Sequence, residues 1–575
     1  MRLLRSLLTT IALICNVVRS TEHPEVRERP YIAFVTIPMK GHATPVHALA
    51  QELSDRGYDT DFITMDTPGL TDEFARATGP HYVSLFPFDH ACPPETLHLT
   101  YLVANGLGVG RETIAREFNP ARILSIWRCP LTYYEDFLPA ITHRFIERRP
   151  DLVVADYFTL GAIDAAFNLS IPLVVNSPTI YSTESFNLPT GWSPYHSWGA
   201  KDLSAEGTFS SLRRWLNHLQ RRYFHAINAE NLVIQWHQEM RVMYGDSAFK
   251  NFPPHSSVPN LVNIFFGLEY AQPVPPHHTL VGPILSRDAE AQAIGALDHH
   301  GERDSQRDCP EIVWLDDLVK EDPQVHVILI NFGTTGALRP RQLWTMLAGF
   351  ADLHGNINIT NFRVLWRLSD QHFQNALGSE DTPSIPPYVR FFPWLCSQPA
   401  TLRHPAVHLF VSHAGINSAQ EGILAGVPVL AMPGFSDQHA MGMRIIDSGV
   451  GLSLHAERFT SHEFANAISQ ILDPHANFST VAQELRNILI LNPAGLGRKH
   501  GADVIEDVLR RGYKHLVPLE ALREPGWGKA GLDVLVIDVV VILGMLWILK
   551  AVGRKAWKTL RGVIRQRVPQ RLKRD

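Results

Sequence analysis

From Tyr31 onward, short apolar runs alternate with stretches of helical period. Tyr31 to Ile37 is β-rich and predicts a strand. Val46 to Arg56 carries Leu49 and Leu53 on one face and predicts a helix closed at Gly57; Asp59 to Met65 predicts a second strand. The series resumes after Pro150-Asp151 with a strand ending at Asp156, a helix over 160–168 and a strand over 171–176. It returns a second time with strands over 325–330, 362–368, 388–392, 406–412 and 427–432, and helices over 341–353, 461–472, 478–489 and 498–513. Strands alternating with helices predict parallel sheets covered on both faces. Between the two series lie a Pro-rich strand-and-crossing stretch, 261–285, and a polar, weakly patterned stretch, 287–310, read as a surface linker or flexible loop. Residues 80–145 and 180–255 show no clean strand period but are rich in aromatics, among them Phe86, Phe88, Tyr133, Tyr134, Phe186, Trp192, Tyr195 and Trp198. Most of these belong to core or loop packing, and the rest would line an apolar pocket.

Open α/β sheets bind ligands beyond the carboxyl ends of their strands. His42 falls in such a place, in the loop after the first strand, and Asp156 in another, where it could equally cap the following helix. The segment Phe391 to Val450 reads as two strand–turn–helix units. His413-Ala414-Gly415-Ile416-Asn417-Ser418 turns into a helix that carries Glu421 near its first turn, and Asp437 opens the next helix after Pro433-Gly434. Helix N-termini at these strand ends suit an anion.

This segment resembles the donor-binding signature of the UDP-glycosyltransferases. Trp394, Gln398, His413, Gly415, Asn417, Ser418, Glu421, Asp437 and Gln438 follow the family's order. The resemblance implies that Trp394 stacks on uracil, Gln398 reaches the ribose, the His413–Ser418 turn holds the diphosphate, Glu421 takes ribose hydroxyls and Asp437-Gln438 reads the sugar. Trp394 and Gln398 stand one residue further apart than in the family, with Cys396-Ser397 in place of a proline, and Met441 replaces an asparagine often found after the Asp-Gln pair. Asn331-Phe332-Gly333-Thr334 is similar to the family's Ser-Phe-Gly-Ser turn, with Asn331 in place of the first serine. Thr334 then meets phosphate or sugar, or only caps a helix. His42 matches the family's catalytic histidine, and Asp156 the aspartate paired with it.

The resemblance implies an α/β protein of GT-B type: two Rossmann-like domains facing a cleft, the first over 28–285 binding the acceptor, a linker over 286–310, and the second over 311–515 binding the UDP-sugar, its last helix returning to the first domain. It further implies metal-independent transfer of a hexose to a small lipophilic acceptor, with inversion and with no cofactor beyond the donor. Asp437-Gln438 suits hexose hydroxyls, with glucose the default and glucuronate requiring a cation. Asp316-Asp317 lies in a predicted helix and reads as surface charge rather than a metal motif. Rival readings are an epimerase on the same fold and a UDP-binding membrane protein without activity.

Charge and the two ends add a location. The net charge is −5, yet residues 550–575 hold ten Lys/Arg and one acid, +9, which leaves −14 for the rest. The bulk therefore does not favour nucleic acid. Residues 1–20 read as a signal peptide, 531–549 as a transmembrane helix and 550–575 as a basic cytosolic tail. The expected setting is the endoplasmic reticulum membrane, crossed once, with the catalytic domains lumenal. The oligomeric state is open between monomer and homo-oligomer. Sequons stand at Asn168, Asn358 and Asn477, of which Asn477 is the favoured glycosylation site. Five cysteines lie far apart and predict no zinc site; disulfides among Cys92, Cys129, Cys309 and Cys396 cannot be paired from sequence.

Overall fold

Near-continuous apolar runs can be buried only if both faces of a sheet are covered, and the chain meets that requirement twice. The structure, a computed structural model, describes residues 29–67, 70–87, 136–179, 258–271, 274–295, 309–333, 340–355, 361–368, 385–434, 437–456, 458–517 and 532–567, with Tyr134 and Ile359. The first sheet contains β1 (Tyr31–Val35), β2 (Asp59–Asp66), β3 (His81–Pro87), β4 (Leu152–Asp156), β5 (Leu173–Ser177), β6 (Asn260–Val262) and β7 (His278–Leu280), in the spatial order β3-β2-β1-β4-β5-β6-β7. The second contains β8 (His326–Asn331), β9 (Phe362–Arg367), β10 (Val389–Phe392), β11 (Val407–Ser412), β12 (Val429–Ala431) and β13 (Gly451–Ser453), in the order β10-β9-β8-β11-β12-β13. Neighbouring strands are parallel in both. Each sheet thus reverses its direction of winding once, between β1 and β4 and between β8 and β11. A doubly wound sheet opens its ligand crevice at that reversal.

The helices that matter for the site are α1 (Lys40–Asp55), α2 (Leu160–Asn168), α3 (Pro310–Glu321), α4 (Gln398–Arg403), α5 (Ile416–Ala425), α6 (Gln438–Asp447) and α7 (Gly497–Arg511). Val46, Leu49, Ala50 and Leu53 form the buried stripe of α1 and pack on Ile32, Phe34, Val154 and Val174 of the sheet. Ala502, Ile505 and Val508 of α7 join the same core, so the last helix of the second series does return to the first domain. Arg498 of α7 ties this seam by binding Glu52 of α1 and Glu290. On the opposite face, Ala33, Val153, Ala155 and Val175 pack against α2 and the helical stretch 136–147.

That stretch is fastened by charge. Asp61, fully buried, accepts hydrogen bonds from Arg144 (2.8 Å), Arg148 (2.7 Å) and the hydroxyl of Tyr31 (2.7 Å). Asp61→Asn removes the carboxylate that Arg144 and Arg148 share, and only Arg148 keeps a second one, Asp59, among the described residues. The substitution is expected to lower unfolding free energy by about 3 kcal/mol, read as a drop in the denaturant midpoint at unchanged slope.

Three expectations need correction. Helix α1 begins at Lys40 rather than Val46, so His42 lies in its first turn and not in a preceding loop. Pro45 is tolerated there because the hydrogen bond it lacks, to the Gly41 carbonyl, lies at the end of the helix. Residues 81–87 form an edge strand with little burial, which is why no apolar pattern announces it. Arg287–Ile294, read as part of a loop, is a helix: Ser286 caps it by accepting from Ala289, Gly295 closes it at φ 74°, and Ala293 is buried in the second domain's core. The segment over 531–549 is helical and belongs to a single helix, α8 (Leu532–Arg567), that continues through the basic residues. Among the described residues no helix is long and apolar enough to cross a membrane. Residues 1–20 lie outside the described residues, as do Cys92, Cys129 and Asn358. Asn168 and Asn477 are both exposed. Cys309 and Cys396 form a disulfide, with Cα atoms 5.8 Å apart, that pins the segment after Trp394 to the start of α3.

Candidate active site

At the reversal of the first sheet, β1 and β4 run in register from Ile32↔Leu152 to Val35↔Ala155, which leaves Asp156 just past the last paired residue. Its carboxylate Oδ2 lies 2.9 Å from Nδ1 of His42, and Oδ1 accepts the Phe158 N–H at 3.0 Å. Asp156 is fully buried, while the His42 side chain is 16 % exposed. A carboxylate can only accept here, so Nδ1 carries the proton and Nε2 is left as the basic nitrogen. Phe158 holds the imidazole edge-on at 4.9 Å between ring centres, and Tyr157 stands 6.1 Å away. Asp156 thus bonds the histidine and closes the turn at Phe158, while the N-cap of α2 is Thr159 rather than Asp156.

The second sheet builds the complementary half. The strand ends Asn331 of β8 and Ser412 of β11 are register partners at the reversal. The turn after β11 brings His413 over Gly333, with Ala414 held in the left-handed region at φ 60° and fully buried. A Cβ at Gly415 would come 2.4 Å from His413 Nε2, and one at Gly333, whose φ is +71°, 2.8 Å from His413 Cε1. Two glycines thus sandwich the ring. Asn417 and Ser418 lie in the first turn of α5, where backbone N–H groups have no helical partner. Among the described residues His413 Nδ1 is buried without a hydrogen-bond partner, a group that a ligand would satisfy. Burial pushes the His413 pKa down to about 4, against a small opposing pull from the Asn331 backbone. The ring is neutral at physiological pH and offers hydrogen bonding rather than a charge.

The halves meet directly. The carbonyl of Gly41, released by Pro45, accepts from Asn417 Nδ2 at 2.9 Å. Gln420 Nε2 donates to the Asn263 carbonyl at 2.6 Å, and the buried Arg444 of α6 donates to Glu269 at 2.6 Å. Asp437 stands at the N-terminal end of α6, near enough to His42 to feel its charge. Burial raises the Asp437 pKa to about 6, with His42 opposing. Gln438 is buried and its Oε1 accepts from Gly434 N at 2.9 Å.

Trp394 is 53 % exposed, open to stack on a planar ligand. Gln398 begins α4 and its Nε2 donates to Glu421 at 2.5 Å, so the longer spacing still brings Gln398 beside Glu421. Cys396 takes the disulfide and Ser397 caps α4 by accepting from Ala400, which explains the two residues standing where a proline was expected. Burial raises the Glu421 pKa to about 7, while the Gln398 hydrogen bond and Lys40 oppose the shift. The neutral carboxyl is the form the fold prefers. Its extra stability is present below the unfolded value of 4.5 and is lost as pH rises through about 7. A ligand that donates hydroxyls favours the ionised form instead. UDP affinity measured by calorimetry should therefore increase as pH rises through about 7, and Glu421→Gln should remove that rise. Equal pH profiles for the two proteins would contradict the assignment.

The expected donor-side residues lie in the turns and helices after β10, β11 and β12, except Thr334, which lies outside the described residues. Two cations were missed. Lys40 Nζ and the Arg367 guanidinium lie 5.0 and 5.1 Å from the Trp394 ring centre, and Arg367 donates to the Gly333 carbonyl at 3.1 Å. Arg367 closes a strand at its carboxyl end, the same positional signal that marked Asp156, and Lys40 is two residues before His42. Asp316 and Asp317 lie on α3, bound to His404 and Lys320. Two groups have the spacing to hold a metal among the described residues, Asp59/Asp61/His81 and Cys309/Glu311/Cys396. The first is engaged by Arg144 and Arg148, and the cysteines of the second are joined to each other.

Comparison with known proteins agrees with the two-domain fold. The family described as UDP-glucoronosyl and UDP-glucosyl transferase matches residues 351–488. UDP-glucuronosyltransferase 3A1 of Bos taurus is 22 % identical over 540 residues, covering 91 % of this chain and 92 % of that protein. A UDP-glycosyltransferase of Talaromyces amestolkiae is 29 % identical over 387 residues, 63 % of this chain and 65 % of its own. Among solved structures, Medicago truncatula UGT71G1 complexed with UDP-glucose superposes with a TM-score of 0.54 at 16 % identity, covering 85 % of this chain and 100 % of that one. The calicheamicin glycosyltransferase CalG4 gives 0.54 at 19 %, over 84 % and 99 %. At such identities the structural likeness concerns the two-domain GT-B fold.

Proposed function

Because the chain belongs to the UDP-glycosyltransferase family and is a UDP-sugar glycosyltransferase, we propose that it transfers a hexose, with inversion and without a metal, to a hydroxyl of a small lipophilic acceptor. One observation carries this reading: Asn417, in the turn after His413, donates to the carbonyl of Gly41, the residue before His42, and so brings the donor-side turn next to the His42–Asp156 pair. His42 Nε2 accepts the acceptor's hydroxyl proton as the oxygen attacks the anomeric carbon and the bond to the β-phosphate breaks. Asp156 stabilises the imidazolium as it forms. Charge growing on UDP is met by the His413 N–H, the first turn of α5, Asn417 and Ser418. Attack from the face opposite an α-linked leaving group gives a β-glycoside. Trp394 stacks on uracil between Lys40 and Arg367, Glu421 takes ribose hydroxyls, and Asp437 and Gln438 hold the sugar. Tyr157 and Phe158 beside His42 support an apolar acceptor.

The same proposal keeps the protein at the endoplasmic reticulum membrane with its domains lumenal, held through the apolar part of α8. Side chains there are exposed, from Val536 at 62 % to Leu549 at 66 %, and apolar surface of that extent needs a cover. The function is tested by a donor screen on microsomes that contain the protein, with a mixed lipophilic acceptor set and mass-spectrometric detection. A hexose-shifted acceptor supports the reading. Release of UDP or of an epimerised donor with no acceptor product would overturn it.

A further inference from the structure

Asn331 departs from the family pattern, and its contacts have one polarity. Its Oδ1 accepts from the Gly333 backbone N–H at 2.9 Å, and its Nδ2 donates to Gln398 Oε1. Gln398 Nε2 then donates to Glu421 Oε2 at 2.5 Å. A backbone N–H can only donate, so it fixes which way the Asn331 amide faces. Asn331 in turn compels Gln398 to present its carbonyl to the strand end and its amino group to Glu421. Glu421 Oε2 is thereby held as an acceptor, which favours the ionised carboxylate that a ligand's hydroxyls also favour. The relay is anchored at each step: Gly333 is gripped by Arg367, Gln398 opens a helix capped by Ser397, and the Ser397 hydroxyl donates to Gln292 at 2.5 Å. A serine at position 331 offers one short hydroxyl. That hydroxyl can accept and donate, but through a single atom on a shorter stem, where Asn331 presents separate polar atoms to Gly333 and to Gln398.

We infer that Asn331 is a specificity-determining positioning residue, which acts through Gln398 to hold Glu421 as the acceptor for a ribose diol and so makes the site select ribonucleotide over 2′-deoxyribonucleotide donors. The inference rests on the donor reading above and adds a residue to it. Asn331 itself need not touch the donor.

The test is the ratio of the dissociation constants for 2′-deoxy-UDP and UDP, measured by calorimetry on the full chain and on two variants. A hydroxyl donating to a charged acceptor makes the parent ratio about tenfold or more. Asn331→Asp keeps the shape and the bond from Gly333 but reverses the polarity toward Gln398, whose carbonyl must then turn to Glu421. Its ratio should fall to about twofold or less, through weaker UDP binding. Asn331→Ser should fall in between. In transfer assays both variants should raise the KM for UDP-sugar with kcat kept, while thermal melting confirms that they fold. A parent ratio near one, or an unchanged ratio in Asn331→Asp, overturns the inference and leaves the donor reading standing. A parent chain that binds neither nucleotide overturns both.

Discussion

His42→Gln should lower kcat by about 10²- to 10⁴-fold while UDP binds as tightly as to the parent. The separation of the two effects follows from where the groups sit. His42 lies on α1 of the first domain, bonded to Asp156 beside the aromatic pair after it, with Asp437 the nearby acidic group of the second domain. The diphosphate turn lies on the other sheet. Removing the imidazole deletes the base without disturbing the glycine-clamped His413 or the relay to Glu421. Asp156→Asn should show the same pattern for a different reason. An amide in place of the carboxylate can donate to Nδ1, which shifts the proton to Nε2 and leaves the histidine unable to accept from substrate. Initial rates at saturating donor, set beside calorimetric UDP titration, check both variants. Wild-type turnover in His42→Gln, or a UDP affinity that falls in step with kcat, would count against the assignment.

Gly415→Ala should have the opposite signature, weakening UDP binding by about 100-fold. Its backbone needs no unusual angle, since φ is −61°. The demand is purely for space. A Cβ would sit 2.4 Å from His413 Nε2, and the ring cannot retreat because Gly333 already lies against it. The imidazole would have to leave the turn, taking with it the donor aimed at the diphosphate. Turnover of whatever donor still binds should fall too, because the leaving group loses a hydrogen bond as its charge develops. Unaltered UDP affinity in this variant would show that His413 does not touch the diphosphate.

Much of this arrangement was legible because two rules are local. Apolar runs followed by polar turns marked the strand ends, and the order of side chains from Trp394 to Gln438 marked the donor half. His42 and Asp156 were legible for the same reason, each just past a buried strand. What sequence could not show depends on partners distant in the chain. Pro45 looks like the start of a helix until the Gly41 carbonyl it frees is seen to accept from Asn417, 376 residues away. Asn331 reads as a mere departure from pattern until Gln398 is found against it. Lys40 and Arg367 gain meaning only from the indole both approach. The edge strand β3 was missed because an exposed strand carries no apolar alternation, and the helix Arg287–Ile294 because it is short and mostly polar. Its serine cap and closing glycine were readable signals that the composition of the surrounding stretch obscured.

The central claim is that a base on one domain directs an acceptor hydroxyl against a sugar held by the other, on the face opposite its leaving diphosphate. The anomeric configuration of the product, read by NMR after reaction of an α-linked UDP-hexose with an acceptor from the screen, tests this most directly. The account predicts a β-glycoside. An α-glycoside would contradict it.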